Sequence, residues 1–152
     1  MNGKMNDQDI HVFISTARRY FASLEERPSL VIEPPFVREK LGPFLEYTGI
    51  IGVSGRSRGV ICFTATGKML GEILGLLKES RIDEEAKKDL VGEIANTLSG
   101  NAREEFGSEF QISVPTVMVG SEARLSQRND SRNYAIPLNW HSETAYLLVA
   151  LE

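Results

Sequence analysis

One segment narrows the choice of fold more than any other: the run from about Asp83 to Phe106, where apolar residues recur at three- and four-residue steps. At 100° per position, Leu90, Val91, Ile94, Ala95, Leu98, Ala102 and Phe106 share one arc of a helix. The opposite arc holds Asp89, Gly92, Glu93, Asn96, Ser99, Gly100 and Arg103.

The surrounding pattern alternates helices and strands. An earlier helix is predicted from about Asp7 to Glu25, with Asp7 or Asp9 as its cap and Pro28 ending it. Leu30 to Val37 reads as a strand, and Pro34-Pro35 puts it at an edge or bulge. Thr48 to Val53 and Gly59 to Ala65 are β-rich runs split by Ser54-Gly55-Arg56-Ser57-Arg58, a hairpin signal. Thr66 or Gly67 opens a second helix with Met69, Leu70, Ile73, Leu74, Leu76 and Leu77 on its apolar side. After the long helix come strands at Ile112 to Val119, Tyr134 to Trp140 and Ala145 to Leu151, with Ser121 to Asn133 as a polar loop.

The order is α-β-β-β-α, then α-β-β-β: an α+β domain with long helices packed on a largely antiparallel sheet. Leu30-Val31-Ile32-Glu33-Pro34 and Gln111-Ile112-Ser113-Val114-Pro115 align at an offset of 81 residues. That hints at an internal duplication of about 7–80 and 83–152 within a single domain covering 1–152.

Composition bounds the function. The chain has 152 residues, 41% hydrophobic and 25% charged, enough for one substantial core. Net charge is −4, and the Arg18-Arg19 pair and Arg56 with Arg58 are diluted by acids, so no footprint for nucleic acid is expected. The N-terminus is polar and no run approaches the ~18 apolar residues of a membrane span, which makes a cytoplasmic, non-inserted protein the expectation. Cys62 is the single cysteine and sits in an apolar strand, where an inert buried thiol is expected. His11 and His141 lack ligand spacing, so no metal site is expected.

The polar arc of the long helix is unusual in what it lacks. Solvated helix faces favour Lys, Glu, Arg and Gln, whereas this one carries two glycines, an asparagine and a serine in its middle. Each glycine costs about 0.8–1.0 kcal/mol against alanine in a helix interior. Close approach of another backbone would explain them, leaving Glu93 and Asn96 above a low floor. These two are neighbours one turn apart, with Asp89 a turn before Glu93. A carboxylate there suits pairing with a partner's cation, and a carboxamide suits orienting a water for attack on a phosphoryl group. An E-x-x-N pair alone is nonetheless common, and Gly100 equally fits a C-cap after a helix ending at Ser99.

The wider run Asp89-Leu90-Val91-Gly92-Glu93-Ile94-Ala95-Asn96-Thr97-Leu98-Ser99-Gly100-Asn101-Ala102, followed by Ile112-Ser113-Val114-Pro115-Thr116-Val117, resembles the CheC/CheX/FliY family of chemotaxis phosphatases, in its CheX-like branch. The family motif has Asp or Ser, three residues, Glu, two residues, Asn, and a proline about twenty residues on. Asp89, Glu93 and Asn96 match, and Pro115 follows Asn96 by 19 positions, slightly early. The resemblance implies a pseudo-twofold CheC-like domain of two α-β-β-β halves. At the offset of 81, Gln8, Val12 and Ser15 of the first helix stand opposite Asp89, Glu93 and Asn96, implying a single site.

It further implies hydrolysis of the aspartyl-phosphate of a CheY-type receiver domain. Glu93 would hold the receiver's lysine and Asn96 would align water. Asp89, Gly92, Ser99, Gly100 and Arg103 would form the partner-binding face. No cofactor of the chain's own is implied, since Mg2+ would belong to the receiver. A homodimer is also implied, and the apolar run Ala145 to Leu151 is a pairing strand if left at an edge. The competing reading is a non-catalytic receiver-binding or flagellar-switch-type adaptor, since fold alone does not establish hydrolysis. Gly55-Arg56-Ser57-Arg58-Gly59 and Gly49-Ile50-Ile51-Gly52 lack the lysine and helix of a phosphate loop.

Overall fold

The computed structural model describes residues 5–27, 29–120 and 132–152. Pro28 and most of the Ser121 to Asn133 segment lie outside the described residues; Arg132 and Asn133 begin a strand instead of ending a loop.

Helix α1 spans Asp7–Ala22 and is capped by Asn6, not by Asp7 or Asp9. Asn6 Oδ1 accepts from the Asp9 N–H at 3.0 Å and the Asn6 N–H donates to Asp9 Oδ2 at 3.1 Å, a reciprocal capping box. The helix ends three residues before Glu25, with Ser23 as its C-cap. Helix α2 (Gly67–Leu76) is capped by Thr66, whose Oγ1 accepts from the Met69 N–H at 3.1 Å. Helix α3 (Glu84–Phe106) begins after Asp83 and ends at Gly107, whose φ of +100° suits glycine. It runs straight through Gly92 and Gly100, so Gly100 is not a cap.

The prolines cut two expected strands. Leu30 to Val37 is two pieces, β1 (Val31–Ile32) and β2 (Phe36–Arg38), separated at Pro34-Pro35. The second-half counterpart divides likewise into β5 (Phe110–Ile112) and β6 (Thr116–Val119), separated by Ser113 to Pro115. Proline carries no N–H for a ladder. Ser113 keeps the second break anchored: its N–H donates to Gly52 O at 2.9 Å and its Oγ accepts from the Gly52 N–H at 2.8 Å.

Four long strands lie between these broken ones: β3 (Tyr47–Gly55), β4 (Gly59–Ala65), β7 (Arg132–Trp140) and β8 (Glu143–Leu151). The order is β1–β7–β8–β4–β3–β5, with β2 also on β7 and β6 also on β3, all antiparallel. The broken strands of each half therefore pair with a long strand of the other half, which locks the halves into one sheet. This order also corrects the expectation for Ala145 to Leu151: β8 is hydrogen-bonded on both sides, to β7 and β4, and offers no free edge.

The helices cover one face of the sheet. Phe13, Phe21, Phe63, Trp140, Ile94 and Leu98 are fully buried there. Each such side chain contributes about 1.5–3 kcal/mol of burial, before the entropy of ordering it. On the other face Leu41 and Phe44 cover Cys62, Ala135, Leu148 and Ala150. Burial pushes the Cys62 thiol up to about 12. We expect a thiol reagent such as dithionitrobenzoate to leave the native protein unlabelled at pH 8 and to react on unfolding; rapid native labelling would contradict this burial. The unfolded thiol titrates at about 8.5, so the folded chain holds the extra proton above that pH. Stability contributed by this group is complete below about 8.5 and falls as pH rises toward 12.

Candidate functional site

The site is built on the middle of α3, and both ends of that helix are fixed. The Asp83 side chain accepts from the Ala86 N–H at 2.9 Å, and Arg81 binds the same carboxylate at 2.7 Å. The backbone donor first, then the guanidinium, holds the Asp83 carboxyl below its usual range. At the other end the Gly107 N–H donates to Arg103 O at 2.8 Å.

The middle turns rest directly on β3. A Cβ on Gly49 would stand 2.4 Å from Val91 O and 2.9 Å from Ala95 Cβ, so only glycine at this position lets the helix lie so close. On one flank Pro115 and Val117 come against Gly92, where an added Cβ would meet Val117 Cγ2 at 3.1 Å. On the other flank lies α1: Phe13 and Phe106 rings are 5.7 Å apart, and Arg19 meets Glu104 at 3.1 Å on the exposed surface. Tyr20 lies within reach of Glu93. Burial, and then the Glu93 charge, raise its phenol above the ordinary tyrosine range.

Against this frame the predicted residues separate. Asp89, Glu93, Asn96 and Arg103 are exposed on one surface, and Gly100 is half-buried with open space where a side chain would project. Gly92 and Ser99, expected on the partner-binding face, are buried. Gly92 receives the chain's own β6 segment, and the Ser99 hydroxyl is enclosed without a hydrogen-bond partner among the described residues. The close approach inferred for the glycine-bearing face is thus made, at Gly92, by side chains of the same chain. Glu93 and Asn96 make no hydrogen bond or ion pair among the described residues, which leaves both groups available to an external partner.

Two neighbours escape the sequence reading. Thr97 is exposed four residues after Glu93 and was legible from helical spacing. Tyr20 comes from another helix and has no local signal. His141, at the β7–β8 turn, stacks on Trp140 at 3.9 Å and places its Nε2 at 2.9 Å from Glu25 and its Nδ1 at 3.3 Å from Glu72. Among the described residues no group of three or more His, Cys, Asp or Glu side chains is arranged to hold a metal ion, and no helix is long and apolar enough to cross a membrane.

The sequence matches the family described as chemotaxis phosphatase CheX over residues 47–139, more than half of the chain. No curated protein matches it. In structure it is similar to a CheC-like superfamily protein from Shewanella sp. PV-4, with TM-score 0.81 and 26% identity over 97% of this chain and 99% of that one. A chemotactic CheC-like protein from Shewanella oneidensis MR-1 gives TM-score 0.82 and 25% identity, over 97% and 100%. The CheX–CheY–BeF3–Mg2+ complex from Borrelia burgdorferi gives TM-score 0.74 and 18% identity over 94% and 97%, a likeness of fold. The matched span runs from β3 through α3 into β7 and contains Glu93, Asn96 and Pro115 together: this chain belongs to the CheX family.

Proposed function

We propose that the protein hydrolyses the aspartyl-phosphate of a CheY-type receiver domain, with Glu93 and Asn96 as its catalytic pair. The observation that carries this reading is their shared exposure, unengaged, on the middle of a helix seated deep on the sheet. Glu93 pairs with the receiver's lysine and fixes the register of the two proteins. Asn96 reaches the phosphoryl group and orients water, using its carbonyl to accept and its amide to donate. Water attacks phosphorus, the bond to the acyl oxygen breaks, and inorganic phosphate and the free aspartate leave. Phosphoryl transfer of this kind needs positioning more than covalent chemistry from the enzyme.

Magnesium belongs to the receiver in this scheme. In support, the fold relative from Borrelia burgdorferi is a CheX in complex with CheY, BeF3 and Mg2+. Asp89, Gly100 and Arg103 form the contact surface around the pair, and the protein works in the cytoplasm beside its substrate. The test is the decay of phosphorylated receiver domains from the same organism. Faster decay with one of them supports the reading; no acceleration with any shifts it to an adaptor role.

The same reading makes the protein a single-domain homodimer. Among the described residues β1–β2 is an unpaired edge suited to pairing, with Val31, Phe36 and Val37 exposed, while the β5–β6 edge borders the receiver face. Sedimentation is expected to show the mass of two chains, and monomer alone at high concentration would remove this part of the proposal.

A further inference from the structure

The surface carrying Glu93 continues beyond α3. Toward its first turns the helix borders a groove of about 220 Å³, shared with the end of α2 and the connection that follows. Leu74 and Leu77 supply its apolar wall, and Glu79, Arg81, Asp89 and Glu93 stand around it. Three carboxylates face one guanidinium, and Arg81 is already held by Asp83 at 2.7 Å, so the field of the groove is negative. Leu76, Leu77 and Ile82 are 40%, 45% and 60% exposed where the chain turns from α2 to α3. One exposed leucine is ordinary; three large apolar side chains beside a charged groove mark a contact surface.

We propose that this groove docks the receiver domain itself, taking an aliphatic side chain flanked by a lysine or arginine, and so selects which receiver reaches Asn96. This inference rests on the phosphatase reading above. Continuity supports it: Asp89 and Glu93 line both the groove and the catalytic surface, so a receiver seated on Asn96 covers the groove as well. Size supports a side chain over a metabolite, because small-molecule pockets run to about 300–1,000 Å³. The charge selects a basic neighbour and makes the contact salt-sensitive.

The experiment titrates the beryllofluoride-activated receiver whose decay the protein accelerates, using wild type, Leu77→Ser and Glu79→Lys, alongside steady-state turnover. Both residues are exposed, and thermal melting checks that each variant remains folded. Each variant is expected to raise Kd and KM about tenfold, within the range of one lost apolar contact or one reversed charge, with kcat at saturation unchanged. The Glu79→Lys deficit is expected to shrink as salt rises. Unchanged Kd in both folded variants overturns the groove and leaves the phosphatase reading standing. A fall in kcat with unchanged Kd also overturns it. If no receiver binds or decays faster with the wild-type protein, the phosphatase reading falls and the groove with it.

Discussion

Asn96→Ala is expected to abolish the acceleration of receiver dephosphorylation while the variant still binds the receiver. The chemical step should slow by about 10²-fold or more, because a water no longer held in line loses the advantage of a fixed attack geometry. Binding should weaken by less than about tenfold, the worth of one neutral hydrogen bond. The comparison is clean because Asn96 is exposed, makes no hydrogen bond or ion pair among the described residues, and is a poorer helix former than alanine. A folded, binding, inactive variant assigns the chemistry to this side chain. Unaltered turnover would move the catalytic group elsewhere, and lost binding would make Asn96 a docking residue. Decay of the phosphorylated receiver, followed with and without protein, reads the first quantity; titration with the beryllofluoride-activated receiver reads the second.

Gly49→Ala is expected to carry a large cost to stability. Its new methyl would stand 2.4 Å from Val91 O and 2.9 Å from Ala95 Cβ, and the nearest of these is backbone, which cannot rotate away. Either α3 lifts from β3 or the sheet bends. Overpacking of this kind costs about 1–3 kcal/mol, and a backbone clash sits at or above the upper end. At this chain length the melting temperature should drop by about 2–4 °C for each kcal/mol. Val91 and Ala95 flank Glu93 in sequence, so the same substitution should displace the turn that carries the proposed catalytic pair and lower turnover even where the protein stays folded. A melting temperature equal to wild type would refute this account of how the helix is seated.

Residue positions on α3 show how far periodicity reaches. The stripe through Leu90, Ile94 and Leu98 fixes the helix and the direction of its core, because a 3.6-residue repeat is a local property of the chain. It also brings Glu93 and Asn96 onto one exposed surface. It does not fix how wide the buried arc is. Gly92 and Ser99 fall outside the apolar stripe, yet Gly92 receives Pro115 and Val117, and Ser99 is enclosed. Their small size is what admits the flanking segment, and which flank closes is decided by where β6 pairs on β3. Thr97 needed only a wider reading of the same wheel.

Strands divide in the same way. Alternation and turn residues announce the β3–β4 hairpin, and Pro34-Pro35 announces a disturbed edge, since a missing N–H is local chemistry; Ile112 to Val119 reads as one strand, and its break at Ser113 to Pro115 emerges only in the structure. That each break splits a strand in two, with both pieces kept on the same neighbour, depends on the partner strand continuing beneath. Ala145 to Leu151 reads as a strong strand from sequence, but its central place between β7 and β4 follows from strand order, which residue pattern does not encode. Sequence by itself therefore determined the α+β class, the long helix and the Glu93–Asn96 pair, all set by short-range spacing and residue chemistry. Only the tertiary structure decided the strand order, the depth at which Gly49 seats α3, and which side of that helix remains open, because each depends on contacts between residues far apart in the chain.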